Sequence, residues 1–413
     1  MKTQLKNKVV TVVFAALIML SFLVCIFKPV TEYSSSERKN LADFPKLTLQ
    51  TILDKSFQSD FKTYVSDQFP LRDGFRTVKA FFQHYVLGFK ENNNLVVKDG
   101  YIAKVDNYTD YGAVQVAINK FSSIYNNYMA NTSAKVYMSI IPDKNYFISQ
   151  DGNYPSLDYD RIVSDMKAGL SGMTYIDLFG SLELEDYYKT DTHWSQDKLG
   201  DAVNTLLAGL GATDRFTGGE YVAKKLSPFY GIYHGQSALP LPAENLIYLT
   251  NDVLEQCIVY EYKYNQIKQI PTEGKEGHTY VEAEIVNGNK TTIAYFDTWQ
   301  ESSAIYREDL FAESDKSKDP YNVFMGGASA LPLLRIHNPN ATEEKKLILF
   351  RDSFGSSIAP LLAEGYSDII LVDLRHAEYD FLAEVYPDAL AVDENTDVLF
   401  LYSTLILTTR SFK

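Results

Sequence analysis

The stretch Leu347 to Arg375, LILFRDSFGSSIAPLLAEGYSDIILVDLR, decides how this chain folds. It reads as a buried strand at Leu347 to Phe350, a turn carrying Arg351, Asp352 and Ser353, a helix at Ser356 to Ala363, and a second strand at Asp368 to Asp373. Short, continuous apolar runs joined through a helix are the signature of parallel strands covered on both faces.

The same rhythm extends outward in both directions. Downstream, Tyr379 to Glu384 reads as a helix and Val398 to Tyr402 as a strand. Upstream, Val114 to Tyr128 is an amphipathic helix, Lys135 to Ile141 (KVYMSII) a buried strand, Tyr159 to Leu170 a helix and Thr174 to Phe179 a strand. Leu199, Ala202, Val203, Leu206 and Leu207 then mark another helix at three- and four-residue steps. The expected fold class is α/β, a parallel sheet with helices on both faces, in a domain over residues 96–413. Between the halves, about 218–340, alternating runs such as Ile258 to Tyr264 and Tyr280 to Val286, with a turn at Asn287-Gly288, predict a β-rich insertion.

Two segments precede that domain. Val9 to Phe27 carries no charge and only Thr11 and Ser21 as polar residues, close to the roughly 20 apolar residues that a membrane-crossing helix needs. Lys2, Lys6 and Lys8 stand before it, which places the N-terminus in the cytoplasm and everything after about Lys28 outside it. The run ends Phe22-Leu23-Val24-Cys25-Ile26-Phe27, without the small-residue site of a cleaved signal peptide, so residues 1–30 are expected to stay as a single-pass membrane anchor. Residues 31–95 read as a linker and helical lead-in: Phe57, Phe61, Tyr64 and Val65 recur at helical spacing, Pro70 interrupts, and Phe75, Val78, Lys79 and Phe82 resume. A hairpin turning at Asp99-Gly100 leads into the domain.

Composition excludes several classes. With 46% hydrophobic residues among 413, most of the chain folds. A formal charge of -14 lacks the basic footprint of a nucleic-acid binder. Cys25 and Cys257 are the only cysteines and the first lies in the apolar run, which argues against a disulfide framework. His84, His234, His278 and His337 have no acidic or cysteine neighbour at ligand spacing, so no metal is expected.

Chemistry in such sheets gathers at the carboxyl ends of the strands. Two loops qualify, Thr190-Asp191-Thr192-His193-Trp194-Ser195 and Arg351 to Ser356. A serine on a tight strand-to-helix turn presents its hydroxyl beside free helix amides, and Ser353 holds that position. His193 can serve as its base, with Asp191 fixing the tautomer. The ordinary alternatives are a helix cap for Ser353, a loop histidine bonded to a carboxylate for His193, and a core anchor for Trp194. Asp373 and His376 form a rival pair at the end of the next strand, and loop position alone does not choose between the two histidines.

With these residues in view, the chain resembles the SGNH-hydrolase-like proteins of the alginate O-acetylation family, and within them the DHHW-type branch. The matching blocks are YYKTDTHWSQDKLG at Tyr187 to Gly200 and the opening stretch at Leu347 to Arg375, with DQFPLRD at Asp67 to Asp73 and IPDK at Ile141 to Lys144 as shorter ones. The resemblance implies a membrane-anchored, extracytoplasmic serine O-acetyltransferase or acetylesterase, with Ser353 as nucleophile, His193 as base and Asp191 as orienter. It marks Asp373 to Arg375 as a shared strand-end feature and so disfavours His376. It also implies a polysaccharide acceptor and a membrane-bound O-acyltransferase as acetyl source. In this branch two histidines often follow the aspartate, whereas Thr192 stands in the first place here. Little chain follows the Val398 to Tyr402 strand, so no C-terminal carbohydrate module is expected, and aromatic residues of the groove would bind the glycan. Backbone N–H groups near Ser353, with Gly326 and Gly327, are the expected oxyanion donors, and Arg351, Trp194 and Arg375 are expected on the substrate side. The chemistry requires no cofactor. The alternative is an anchored glycan-binding or scaffold component without turnover.

Overall fold

A computed structural model describes residues 2–106, 108–216, 219–261, 264–267, 278–286, 289–296, 300–312, 319–326 and 333–412. The chain divides into two compact units. The first comprises the residues up to Leu95 together with Ile232–Pro242; the second comprises Val96–Gly231, Ala243–Ser314 and Asp319–Lys413.

In the first unit, α1 (Lys2–Phe27) contains, at Gln4–Val24, a helix long and apolar enough to cross a membrane, none of it buried. A short helix at Leu49–Leu53 precedes α2 (Ser56–Asp67) and α3 (Arg72–Phe81), and the helix continues through a wider turn at Phe82–Val86. Pro70 falls between α2 and α3, where its missing N–H and fixed φ end a helix. Gln68 closes α2: its backbone N–H donates to the Tyr64 carbonyl at 2.8 Å, and its side chain bonds Thr31 in both directions.

The second unit is built on an eight-stranded sheet. The helices are α4 (Tyr111–Tyr128), α5 (Tyr159–Gly169), α6 (Gly200–Leu210), α7 (Ser353–Leu362) and α8 (Tyr379–Val385). The strands are β1 (Lys135–Ile141), β2 (Thr174–Asp177), β3 (Ile258–Glu261), β4 (Gln300–Ser303), β5 (Leu333–His337), β6 (Lys346–Arg351), β7 (Asp368–Val372) and β8 (Thr396–Ser403). Their order is β4-β3-β5-β7-β6-β8-β1-β2. The run from β7 to β2 is parallel throughout.

The strands read as unbroken apolar runs because both faces are covered. Leu347, Leu349, Ile369, Leu371, Leu399 and Leu401 pack on one side with α6 and α7. Ile348, Phe350, Ile370, Val372, Val398 and Phe400 pack on the other with α4, α5 and Tyr379 of α8. The parallel register sets Phe350 opposite Phe400, with rings stacked 4.2 Å apart.

The sheet is parallel-rich as expected, and the insertion adds a detail: β3, β4 and β5 come from it and extend the β7 edge in antiparallel fashion. The insertion therefore contributes to the central core as well as forming its own hairpin at Val222–Phe229 and Glu244–Thr250 and a three-stranded sheet of Tyr264–Ile267, His278–Val286 and Asn289–Phe296. Alternation within a run identifies a strand without naming the strand it pairs with. The turn expected at Asn287-Gly288 lies outside the described residues. The hairpin turn falls where expected, with Asp99 and Gly100 at φ of 52° and 84° between Leu95–Lys98 and Tyr101–Lys104.

The topology also fixes where a site belongs. From β6 the chain passes to β7 on one side, and then to β8 on the other. Numbered along the chain, with β1, β2, β6, β7 and β8 as 1 to 5, the parallel order is 4-3-5-1-2; β6 leads to β7 on one side and β1 to β2 on the other, which puts the switch point between β6 and β8. Open α/β sheets leave a crevice at the carboxyl ends of such strands.

Candidate active site

Ser353 stands at that crevice as the first residue of α7, three residues earlier than the periodicity placed the helix start. The residue before it explains the shift. Asp352 is the N-cap: its side chain accepts from the Phe354 N–H at 2.9 Å. Its other oxygen accepts from the Ser403 N–H at 2.8 Å and the Ser403 hydroxyl at 2.6 Å, which ties the start of α7 to the end of β8. Gly355 permits the tight turn, since a Cβ there would meet Arg351 Cβ at 2.4 Å.

His193 arrives from the loop after β2. That loop closes on itself through a bridge between Tyr187 and Trp194 and a bond from the Tyr188 N–H to the His193 carbonyl at 3.1 Å. Asp191 Oδ1 lies 2.6 Å from His193 Nδ1 and also accepts the His193 N–H at 3.1 Å. His193 Nε2 lies 2.8 Å from Ser353 Oγ. The loop position that left two histidines open is thus decided by geometry: His193 faces Ser353.

His376 stands elsewhere. Its Nε2 is 3.8 Å from Asp373 Oδ2, and Asp373 already binds Arg375 at 2.9 and 2.6 Å and Arg351 at 3.4 Å. Burial raises the Asp373 pKa, yet the two arginines outweigh it and hold the carboxyl below the usual range.

A shell of residues, most of which the sequence patterns do not single out, holds His193 in place. The Tyr321 ring stacks on the imidazole at 3.8 Å with planes 8° apart. Tyr321 donates to Ser357 Oγ at 2.6 Å, and Trp194 Nε1 donates to the same oxygen at 2.7 Å. Gln196 donates to the Ser357 carbonyl at 2.6 Å and accepts from the Leu249 N–H at 2.7 Å. The Asp191 loop is clamped from two sides. Glu244 accepts from the Lys189 and Thr190 N–H groups, each at 2.7 Å, while the Lys144 ammonium donates to the Tyr188 and Lys189 carbonyls at 2.9 and 3.2 Å. Lys144 is fully buried, and burial pushes its pKa down to about 7 against the pull of Asp191, Glu244 and Asp143. The IPDK segment is the one sequence signal that points toward Lys144.

Other expected contributors fall differently. Trp194 is fully buried, so it supports the histidine loop from behind and presents no face to a substrate. Arg351 is also fully buried, directed at Asp373. Arg375 keeps part of its surface. The Gly326 N–H already donates to the Asn322 carbonyl at 2.8 Å, which removes it as an oxyanion donor. Gly327 lies outside the described residues.

No protein-family model matches the chain, and no curated protein sequence matches it. Among solved structures, the chain is similar to a DHHW family protein from Eubacterium siraeum, with 16% identity and a TM-score of 0.49 over 77% of this chain and 93% of that one. It is similar to Bacillus cereus PatB1, with 19% identity and a TM-score of 0.49 over 77% and 98% of the two chains. It is also similar to the O-acetyltransferase domain of Pseudomonas putida AlgJ, with 10% identity and a TM-score of 0.43 over 76% and 92%.

Proposed function

We propose that this chain is a serine acyl-transfer enzyme, and the observation that supports it is the continuous hydrogen-bonded path Asp191–His193–Ser353 at a switch-point crevice. His193 Nε2 takes the Ser353 proton as Oγ attacks the carbonyl carbon of the donor ester. The Ser353 N–H, in the first turn of α7 where amides lack an intrahelical acceptor, stabilises the oxyanion. Collapse of the tetrahedral intermediate breaks the donor's ester C–O bond, and His193 returns the proton to the departing alkoxide. An acceptor hydroxyl then loses its proton to His193, attacks the acyl carbon and releases Ser353. Asp191 holds the imidazole in the tautomer that leaves Nε2 free to accept.

The resemblance read from the sequence makes the acyl group acetyl and the acceptor a polysaccharide hydroxyl; water in that place makes the enzyme an acetylesterase. The acetyl donor is supplied by a membrane-bound O-acyltransferase, and α1 holds the catalytic unit outside the cytoplasm, with Lys2, Lys6 and Lys8 inside.

The test is labelling with an active-serine reagent such as a sulfonyl fluoride, followed by peptide mapping. Label on the peptide carrying Ser353, and loss of both label and acetyl-ester turnover in Ser353→Ala, is the expected result. Unlabelled Ser353, or full turnover in Ser353→Ala, overturns the assignment.

A further inference from the structure

Within the first unit, α3 is mounted opposite to a helix of a water-soluble protein. Phe75, Val78, Phe82, Tyr85 and Val86 recur along α3 and its continuation at the steps of one helix face, and each is more than half exposed, as is Phe89 just beyond the helix end. The polar side is the one that packs. Ala80 is buried, Arg76 donates to the Gly235 and Gln236 carbonyls at 2.9 and 3.2 Å, and Arg72 and Arg76 both pair with Glu37. An amphipathic helix normally turns its apolar stripe to the core. A contiguous exposed stripe of this kind marks a surface that something else covers.

Chain connectivity identifies the cover. Thr31 comes four residues after Phe27, where the apolar helix ends, and it is held to Gln68 by bonds of 3.0 and 2.9 Å. Four extended residues span at most about 14 Å, and four more carry the chain from Gln68 to Arg72 at the start of α3. Two such spans, with the reach of the Gln68 side chain and its hydrogen bonds to Thr31 between them, confine the start of α3 to within about 35 Å of the point where the chain leaves the apolar layer. The groove beside it, about 1050 Å³, carries Lys62 and Lys79 next to Phe69 and Phe75, so cations flank the aromatic surface as anionic headgroups require.

We infer that the apolar face of α3 and its continuation through Val86 lies in the membrane interface as an in-plane amphipathic segment, a second lipid contact beyond α1. The inference rests on the reading of α1 as a retained membrane span. Its partner is the lipid surface itself, with phenyl and phenol rings at the headgroup–acyl boundary and lysines among the phosphates.

The test uses the full chain reconstituted in vesicles of phosphatidylcholine and phosphatidylglycerol, with Val78→Trp and Tyr85→Trp as separate probes at already exposed positions. Active-serine labelling equal to the parent's shows that each variant folds. With acyl-chain-brominated lipids, the emission added by each new tryptophan should fall about two-fold or more, as for a ring at interface depth. Retention of the parent through an alkaline wash with no such quenching overturns the inference and leaves the span intact. The same absence of quenching, with a doubled mass in detergent that Val78→Glu restores to the monomer value, assigns the face to a second copy and also overturns it. Release of the parent by the alkaline wash overturns the span reading, and the inference with it.

Discussion

Two aspartate–histidine pairs sit at the carboxyl edge of the same sheet, and they are built differently. In the first, Asp191 bonds His193 through side chain and backbone, and the far nitrogen meets Ser353. In the second, Asp373 binds Arg375 at two points and Arg351 at a third, and His376 stays 3.8 Å away. A carboxylate orients an imidazole only while its oxygens are available. Two guanidiniums consume them at Asp373, turning a motif that looks catalytic into a structural clamp between β6 and β7.

The comparison breaks first on turnover. His193→Ala is expected to lower kcat/KM on a model acetyl ester by about 10⁶-fold, the scale of losing a triad base. His376→Ala should stay within about 3-fold of the parent, since the hydrogen bond to Ser353 Oγ comes from His193. Equal losses in the two variants would dissolve the distinction between the pairs.

The aspartates sharpen it. Asp191→Asn should cost turnover on a scale of about 10⁴-fold while leaving thermal stability near the parent's, because an amide favours the wrong imidazole tautomer. Asp373→Asn should do the reverse. It leaves the buried Arg351 short of an anionic partner, at about 3–5 kcal/mol, and melting should move down while folded molecules keep their active-serine label. Chemical denaturation alongside ester kinetics separates the two.

Smaller effects are expected in the supporting shell. Tyr321→Phe keeps the ring on His193 but removes the hydrogen bond to Ser357, a loss of about 1 kcal/mol in denaturant unfolding with the reaction largely retained. The gentlest test is of Lys144. In the unfolded chain the amine titrates near 10.5, whereas burial lowers it to about 7 in the fold. Between those values the unfolded state binds more protons, so stability rises with pH across that window and the contribution is lost as pH falls through about 7. Lys144→Met should flatten that slope in unfolding measured from pH 7 to 10.

The parallel strands were legible because burial on both faces writes unbroken apolar runs such as Lys135–Ile141 and Lys346–Arg351. Apolar spacing places the start of α7 three residues late, since the N-cap at Asp352 sets it instead. Tyr321, Gln196 and Glu244 were not legible as site residues, and Lys144 was marked only through its IPDK segment. Each acts through a contact with a segment distant in the chain, of which a single tyrosine, glutamine or glutamate carries no local mark. The oxyanion reading of Gly326 failed for a related reason: composition shows that a glycine is present, but only the backbone path shows its N–H bonded to Asn322.

By itself, the sequence determined the alternation of strands and helices, the apolar run at Val9 to Phe27 and the two loops expected to carry chemistry. These depend on periodicity and on local chain stiffness, which neighbouring residues set. Only tertiary structure decided which histidine meets Ser353, which aspartate is consumed by arginine, and that α3 turns its apolar side outward. The same helical spacing fits a buried stripe or a lipid-facing one, and the same Asp and His fit a clamp or a catalytic pair. What separates them is which distant groups occupy the remaining hydrogen-bonding and packing positions, a property of the folded chain as a whole.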